Sequence, residues 1–296
     1  MICPVCNSDD TFRSGVIERF EKPLYIRQCK ACRSFYQYPL PPDYENFYSD
    51  DYYSGKANYS YVDERKKNSY SKYVWDARIN KLKKFQPSGI FLDVGCSFGG
   101  LVRSASRYYK SYGMDISEYA VEQGNIFSNQ LGCNENFMGL HHGTLLDFSM
   151  NDIRESTVSI ISMIEVVEHL ANPGDHVAMA WKLLKPGGIF LVQTANMTAN
   201  QAVKSGLDYH YFLPGHLTYF SQAGLLKLLL KTGFRNIIEF FPVEFSLLPK
   251  LRKIQGDFKT WQDYLKWIKV SYYHLHSSYH FGHNPSTSSY VVYAIK

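Results

Sequence analysis

The sequence predicts an α/β protein built on a largely parallel sheet, preceded by a small cysteine-rich unit. Three observations carry this reading. Residues 89–117 run as an apolar strand, a glycine-rich turn, a helix and a second strand ending in an acid. From there onward, short apolar runs alternate with amphipathic stretches, the pattern of repeated βα units. The first 38 residues carry two CxxC pairs.

The first unit opens with Ile90 to Val94, carries Asp93 near its end, and turns through Gly95-Cys96-Ser97-Phe98-Gly99-Gly100. A helix is predicted over Leu101 to Tyr109, and the second strand ends in Gly113-Met114-Asp115. The glycines let the chain reverse tightly and let backbone approach a ligand where a Cβ would clash. Asp115 lies 22 residues beyond Asp93. That separation puts an acid at the tip of the second strand, where it accepts hydrogen bonds from ribose hydroxyls. Asp93 just before the turn would repel a pyrophosphate. It suits a ligand with a cationic group, such as the ammonium of a methionine moiety.

The later elements follow the same rhythm. Ser117 is a good N-cap for a helix over Glu118 to Asn129. A strand is expected over Asn136 to Leu140, followed by a turn through Thr144 and Leu145. The apolar run 157–164 reads as a central strand buried on both faces. A helix over Asp175 to Leu184, closed by Lys185-Pro186-Gly187-Gly188, leads to a strand over Ile189 to Thr194. A helix over Ser221 to Thr232 precedes strands at Ile237 to Phe241 and Tyr290 to Ile295, which makes seven strands in the main domain. Residues 63–85 read as a helix on helical spacing of apolar residues. Residues 242–288 interrupt the last strand pair as an insertion, with one helix expected over Phe258 to Ser271.

Cys3, Cys6, Cys29 and Cys32 form two knuckles with 22 residues between them. Each knuckle presents two thiolates on one side of a tight turn, and together they supply the four sulfurs of a tetrahedral Zn²⁺ site. Val16 to Phe20 and Leu24 to Gln28 alternate as a hairpin between them, so residues 1–38 read as a zinc ribbon with a structural role. Such a short segment needs the metal to fold. The Pro- and Tyr-rich connector 39–62 is either a lid on the site or a strap between the two units, and the main domain is expected over 63–296.

Bulk properties narrow the partners. The chain has 296 residues, of which 45% are hydrophobic and 16% aromatic, and a net charge of +5. That charge is weaker than the footprint of a dedicated nucleic-acid binder. No apolar run reaches the roughly 18 residues a membrane span needs. The N-terminal residues lack the basic and apolar regions of a signal peptide. A cytoplasmic setting is expected, where paired cysteines bind metal more often than they form disulfides.

LDVGCSFGG, YGMDIS, IISMIEVVEHLANP, LLKPGGIFLVQTAN and HLTYFSQAGLLKLLLKTGF occur in that order over roughly residues 70–296. This series resembles the class I S-adenosylmethionine (SAM)-dependent methyltransferases. The resemblance implies a Rossmann-like sheet in the order 3-2-1-4-5-7-6 with an antiparallel last strand. It implies that Asp93 and Gly95 lie near the methionine moiety, Asp115 at the ribose and Thr144 and Leu145 at the adenine edge, with Cys96, Gly99, Ile116, Ile164 and Glu165 also among the cofactor-binding residues. The family often has Asp where Thr144 stands, and Ser97 replaces a motif glycine. Glu165-Val166-Val167-Glu168-His169 is similar to the ExxEH segment of ubiquinone-pathway O-methyltransferases, which is linked there to a divalent metal. Glu168 and His169 therefore read either as a base or metal site or as local packing and capping groups. His210 and His216, after the fifth strand, are the candidate general bases, since a neutral imidazole accepts a proton near pH 7. His210, between two tyrosines, is the first choice for acceptor contact. The ribbon, connector and methyltransferase domain together resemble bacterial methyltransferases acting on sugars and nucleotide-sugars. A small polar, sugar-like acceptor is the leading expectation. RNA methylation with the ribbon as reader and a non-catalytic binding fold are the alternatives.

Overall fold

The computed structural model describes residues 1–42, 44, 47, 52–53, 63–147, 153–279 and 285–296. Most of the connector 39–62 therefore lies outside the described residues. The N-terminal strands are β1 (Thr11–Ile17), β2 (Leu24–Cys29) and β3 (Phe35–Gln37). Helix α1 (Asn68–Leu82) leads to β4 (Ile90–Val94), α2 (Gly100–Ala105), β5 (Lys110–Asp115), α3 (Glu118–Gln130) and β6 (Phe137–His142). There follow β7 (Val158–Ile164), α4 (Pro173–Leu183), β8 (Leu184–Ala195), α5 (Asn200–Ser205), β9 (Thr218–Tyr219) and α6 (Gln222–Thr232). The chain ends with β10 (Asn236–Phe240), α7 (Leu247–Gln255), α8 (Leu265–Ser278) and β11 (Ser289–Ile295).

The main sheet has seven strands in the order β10-β11-β8-β7-β4-β5-β6. Counted along the chain within this sheet, that is 3-2-1-4-5-7-6 read from its other edge, as expected. β11 runs antiparallel to both neighbours. Alternation along the central strands sends side chains to opposite faces. Leu92, Ile161 and Phe190 join Val177 and Leu183 of α4 and Leu225 and Leu229 of α6 in one core. Phe91, Ile160, Ile189 and Leu191 pack on the other face with Ile79 and Leu82 of α1 and Leu101 of α2.

Several elements differ in extent from the sequence reading. α2 stops at Ala105 instead of reaching Tyr109. Tyr109 is drawn into the core, fully buried, and its hydroxyl donates to the carbonyl of Gln86 at 2.6 Å, which a continuing helix would not allow. β8 begins at Leu184, five residues before the expected start. The insertion holds two helices, α7 and α8, with a 3-10 turn over Trp261–Tyr264 between them.

The N-terminal unit does not close on itself. Its sheet has the order β1-β2-β3-β9, so the fourth strand comes from the main domain, with Phe35 opposite Tyr219 and Tyr36 opposite Thr218. Two polar side chains reinforce this junction. The Gln37 amide donates to the carbonyls of Pro214 (2.9 Å) and His216 (2.7 Å). The Arg19 guanidinium donates to those of Leu207 (3.1 Å), Tyr209 (2.9 Å) and Phe212 (2.9 Å). Ser221 caps α6 by accepting from the Gly224 N–H at 2.8 Å, and its hydroxyl donates to the carbonyl of Cys32 in the second cysteine knuckle. Replacing Gln37 by Ala leaves two buried carbonyls without donors, a loss of about 1–3 kcal/mol. A Gln37→Ala protein is expected to unfold at lower denaturant, measured by equilibrium urea denaturation, with increased amide exchange concentrated in residues 207–219.

Candidate active site

The glycine-rich turn sits at the C-terminal ends of β4 and β5, where open α/β sheets bind ligands. Gly95 has φ +73° and a Cβ there would lie 2.3 Å from Val166 Cγ2. Ser97, in place of a motif glycine, also adopts a left-handed conformation at φ +49°. Its N–H donates to Asp115 Oδ2 at 2.8 Å, a contact that fixes the loop against the acid. Asp115 Oδ1 accepts from the Ser117 N–H at 3.0 Å and from the Tyr53 hydroxyl at 3.2 Å. Tyr53 also meets Phe98 edge-on, with centroids 5.8 Å apart, so this described piece of the connector covers the loop. Glu64 accepts from the Gly100 N–H at 3.2 Å, and the Arg65 guanidinium lies 4.0 Å from the Phe98 ring centre.

Asp93 is buried and accepts from Ser162 Oγ at 2.6 Å. Ser162 stands directly opposite it on β7. Burial pushes the Asp93 carboxyl up to about 7, and Glu64 and Asp115 add to the rise. Burial also raises Asp115. Two buried acids at the strand ends, each short of a positive charge, form a donor set that fits a cationic ligand carrying ribose hydroxyls. Cys96 is buried within the turn, while Ile116 is exposed and its carbonyl accepts from His142 Nε2 at 3.1 Å. Leu145 is buried, and Thr144 donates to Asp147 Oδ2 at 2.6 Å. The carboxylate at this turn thus belongs to Asp147, three residues after the position where the family often has Asp.

A second cluster lies past β7. Ile164 is half-buried at the strand end, and Glu165 adopts φ +55°, rare for a residue with a side chain. Its Oε1 accepts from Gln193 Nε2 at 2.8 Å and its Oε2 from the Tyr211 hydroxyl at 3.0 Å. Tyr211 also reaches Glu168 Oε1 at 2.5 Å. One phenolic hydrogen serves two carboxylates, so one of the two acids must carry a proton for both contacts to be hydrogen bonds. Burial and the Glu168 charge push Glu165 up to about 8, and burial raises Glu168. Behind them, Arg78 donates to Gln193 Oε1 at 2.5 Å and pairs with buried Glu244 at 2.6 Å.

The two histidines of this cluster are held alike. His169 Nδ1 donates to the carbonyl of Gly215 and His216 Nδ1 to that of Tyr211, both at 2.9 Å. Their proton is therefore on Nδ1, and Nε2 is the acceptor nitrogen. The rings stand 4.7 Å apart. Burial lowers both, and His169 further lowers His216, so both are neutral at pH 7. Glu168, His169 and His216 each bring one ligating atom to within 4.8 Å of the others. Glu168 Oε2 is buried and, among the described residues, no hydrogen-bond donor meets it. His210 stands apart from this cluster. It is exposed with its ring against Tyr209, because Arg19 and Gln37 fold the segment so that Tyr211 and His216 turn inward.

The cysteines Cys3, Cys6, Cys29 and Cys32 converge with their sulfurs all within 4.8 Å of one another. The Cys3–Cys32 and Cys6–Cys29 sulfurs are 3.7 and 3.6 Å apart, and none forms a disulfide. The hydrogen bond from Cys3 pulls Cys32 down to about 5.

Tyr53, Arg78, Ser162, Gln193 and Tyr211 were not singled out as site residues by sequence reasoning. Ser162 and Gln193 carried a signal, as polar residues in the otherwise apolar runs of central strands. Arg78 carried one as a cation one residue before a core position of α1.

The fold is that of a methyltransferase. The chain belongs to the family described as "Methyltransferase domain", whose model matches residues 67–239. It is a class I SAM-dependent methyltransferase. It is 27% identical over 175 residues to ubiquinone biosynthesis O-methyltransferases of Coxiella burnetii, covering 53% of this chain and 70% of the relative. It is 30% identical over 121 residues to one from Caulobacter vibrioides, covering 40% of this chain and 46% of the relative. A sterol 24-C-methyltransferase of Eremothecium gossypii is 28% identical over 113 residues, 38% of this chain and 29% of the relative. The chain thus spans less than half the length of several curated relatives it matches. Phosphoethanolamine N-methyltransferase 2 of Haemonchus contortus shares the fold at TM-score 0.55 and 13% identity, over 95% of this chain and 70% of that one. Among the described residues, no helix is long and apolar enough to cross a membrane.

Proposed function

We propose that the protein methylates a small polar acceptor of the sugar or nucleotide-sugar kind, seated against Tyr211, His216 and the Glu165–Glu168 pair. Asp93, Gly95, Cys96 and Gly99 hold the methionine end of SAM, Asp115 and Ile116 its ribose, Thr144 and Leu145 its adenine edge, and Ile164 and Glu165 its inner wall. SAM supplies an activated methyl carbon open to in-line displacement, and the chain supplies position and a base. The observation that carries the reading is His216, neutral and fixed on one tautomer, with Nε2 able to take a hydroxyl proton. Tyr211 and the two carboxylates offer both donors and acceptors, which suits an acceptor with several hydroxyl groups. Of the two candidate bases His210 and His216, the geometry of the cluster favours His216, which also takes over from His210 as the first choice for acceptor contact.

A second reading keeps the same residues and adds a divalent cation. Glu168, His169 and His216 would hold it. The unmet Glu168 oxygen and the Nδ1–carbonyl bonds behind both imidazoles fit that donor set, since ligating histidines characteristically donate their other N–H to such groups. A bound cation would polarise an acceptor oxygen. The relatives named for ubiquinone biosynthesis are O-methyltransferases, which favours a hydroxyl acceptor here.

We infer further that the four cysteines hold Zn²⁺. Tetrahedral ligation with Zn–S near 2.3 Å requires sulfurs about 3.8 Å apart, close to the observed 3.6 and 3.7 Å.

The following outcomes test this account. SAM affinity, measured by calorimetry, is expected to fall as pH drops through about 7, because the raised Asp93 carboxyl is neutral below that value and charged above it. The ligand ammonium stays protonated below an ordinary α-amino pKa of roughly 7.7–8.0. Asp93→Asn should bind SAM weakly at every pH, and unchanged affinity refutes the assigned pocket. His216→Ala is expected to lower kcat by about 10²–10⁴ with SAM affinity retained, in assays comparing nucleotide-sugars with vicinal diols and catechols, before and after metal chelation. A wild-type rate lost on chelation and restored by Mg²⁺ selects the second reading. Elemental analysis is expected to give one zinc per chain. Its removal should lower the melting temperature and abolish methyl transfer while calorimetry still detects SAM.

A further inference from the structure

Helix α8 and the turn before it carry an apolar stripe that is largely exposed. Trp261, Leu265, Ile268, Tyr272, Leu275 and Tyr279 follow one another at intervals of four, three, four, three and four residues. That spacing places Leu265, Ile268, Tyr272 and Leu275 on one face of α8, with Trp261 in the turn before it and Tyr279 at its C-terminal end. Each is exposed, from 46% at Leu275 to 77% at Trp261. The opposite face docks the helix to the protein. Trp267 Nε1 donates to the Leu251 carbonyl of α7 at 3.0 Å, and His274 and Ser277 are buried. The stripe is therefore the outer surface of an anchored helix, and it runs about 28 Å from Trp261 to Tyr279.

Such a continuous exposed apolar surface marks an interaction site. Charge and size decide what it meets. Residues 259–279 contain Lys259, Lys266 and Lys269, all exposed, against one acid, Asp263, which is already paired with Lys266 at 2.7 Å. A basic helix with Trp and Tyr among its apolar residues matches the headgroup region of an anionic bilayer. There the rings sit with one end apolar and one end wet, and lysine stems lie along the surface with their ammonium groups outward. A second copy of the chain is the poorer fit. A helix about 28 Å long and about 10 Å wide offers a footprint of about 300 Å², short of the about 800 Å² per partner of a stable interface. Self-pairing would also gather like charges.

We propose that α8 rests the protein on anionic membrane surfaces, lying in the headgroup plane without crossing it. The proposal stands apart from the acceptor reading, since it concerns a face that the methyl-transfer cluster does not use.

Co-sedimentation of the full chain with vesicles tests it. The protein is expected to pellet with equimolar phosphatidylcholine and phosphatidylglycerol, weakly with phosphatidylcholine alone, and less at high salt. Ile268→Glu should reduce the partition coefficient about tenfold or more, whereas Leu230→Glu, at an exposed position on α6, should leave it unchanged. Both variants are checked for wild-type melting temperature. Lys266→Glu with Lys269→Glu should remove the preference for the anionic vesicles. The proposal is overturned if the wild-type chain stays in the supernatant with both vesicle types, or if Ile268→Glu partitions like the wild type. It is equally overturned if light scattering finds a dimer that Ile268→Glu converts to monomer, since the face then belongs to a second copy.

Discussion

The amide of Gln37 meeting the carbonyls of Pro214 and His216 is the contact on which the candidate site most depends. The segment from Leu207 to Leu217 has little regular structure, so its backbone groups need partners from elsewhere. Arg19 and Gln37 supply them from the N-terminal unit, and the β3–β9 pairing locks the end of the segment. Tyr211 and His216 are carried on that segment. The cysteine knuckles therefore act on the chemistry at a distance, by keeping in place the strands that hold the segment.

Burial gives the site its second character. Asp93 and Glu168 are both pushed above the usual carboxylate range, and His169 and His216 below the usual imidazole range, by the same loss of solvent. A pocket that disfavours charge in every titrating group rewards whatever brings the missing charge. In the proposed pocket, a sulfonium ligand with an ammonium group would offer this near Asp93. Around Glu168 the same deficit is met by a shared proton or by a cation. The buried Arg78–Glu244 pair, reached through Gln193, holds Glu165 from behind so that its left-handed backbone persists.

The alternation of strands and helices, the glycine turn and the acids at both strand tips were legible because each rests on local spacing, whereas the strand order followed only from the resemblance to the methyltransferase family. The two cysteine pairs were legible from local spacing too. What escaped was non-local. Nothing in the sequence near Phe35 signals that it will pair with Tyr219. His210 and His216 look alike as residues flanked by aromatics, and only the fold turns one outward and the other against His169. Tyr109 reads as a helix continuation until the core claims its ring. The Thr144 turn drew attention to a missing Asp, while the carboxylate stood three residues on at Asp147, held by the threonine hydroxyl.

The borrowed strand β9 makes the N-terminal unit an incomplete module. Lifted from this chain, β3 would expose a bare sheet edge, and the second knuckle would lose the hydroxyl of Ser221 that meets Cys32. A ribbon stitched into its neighbour in this way cannot swing out to scan a polymer, because any such motion would unzip β3 from β9 and free the cap of α6. Any long substrate would have to come to a fixed surface, and the reach of the enzyme is set by the opening itself.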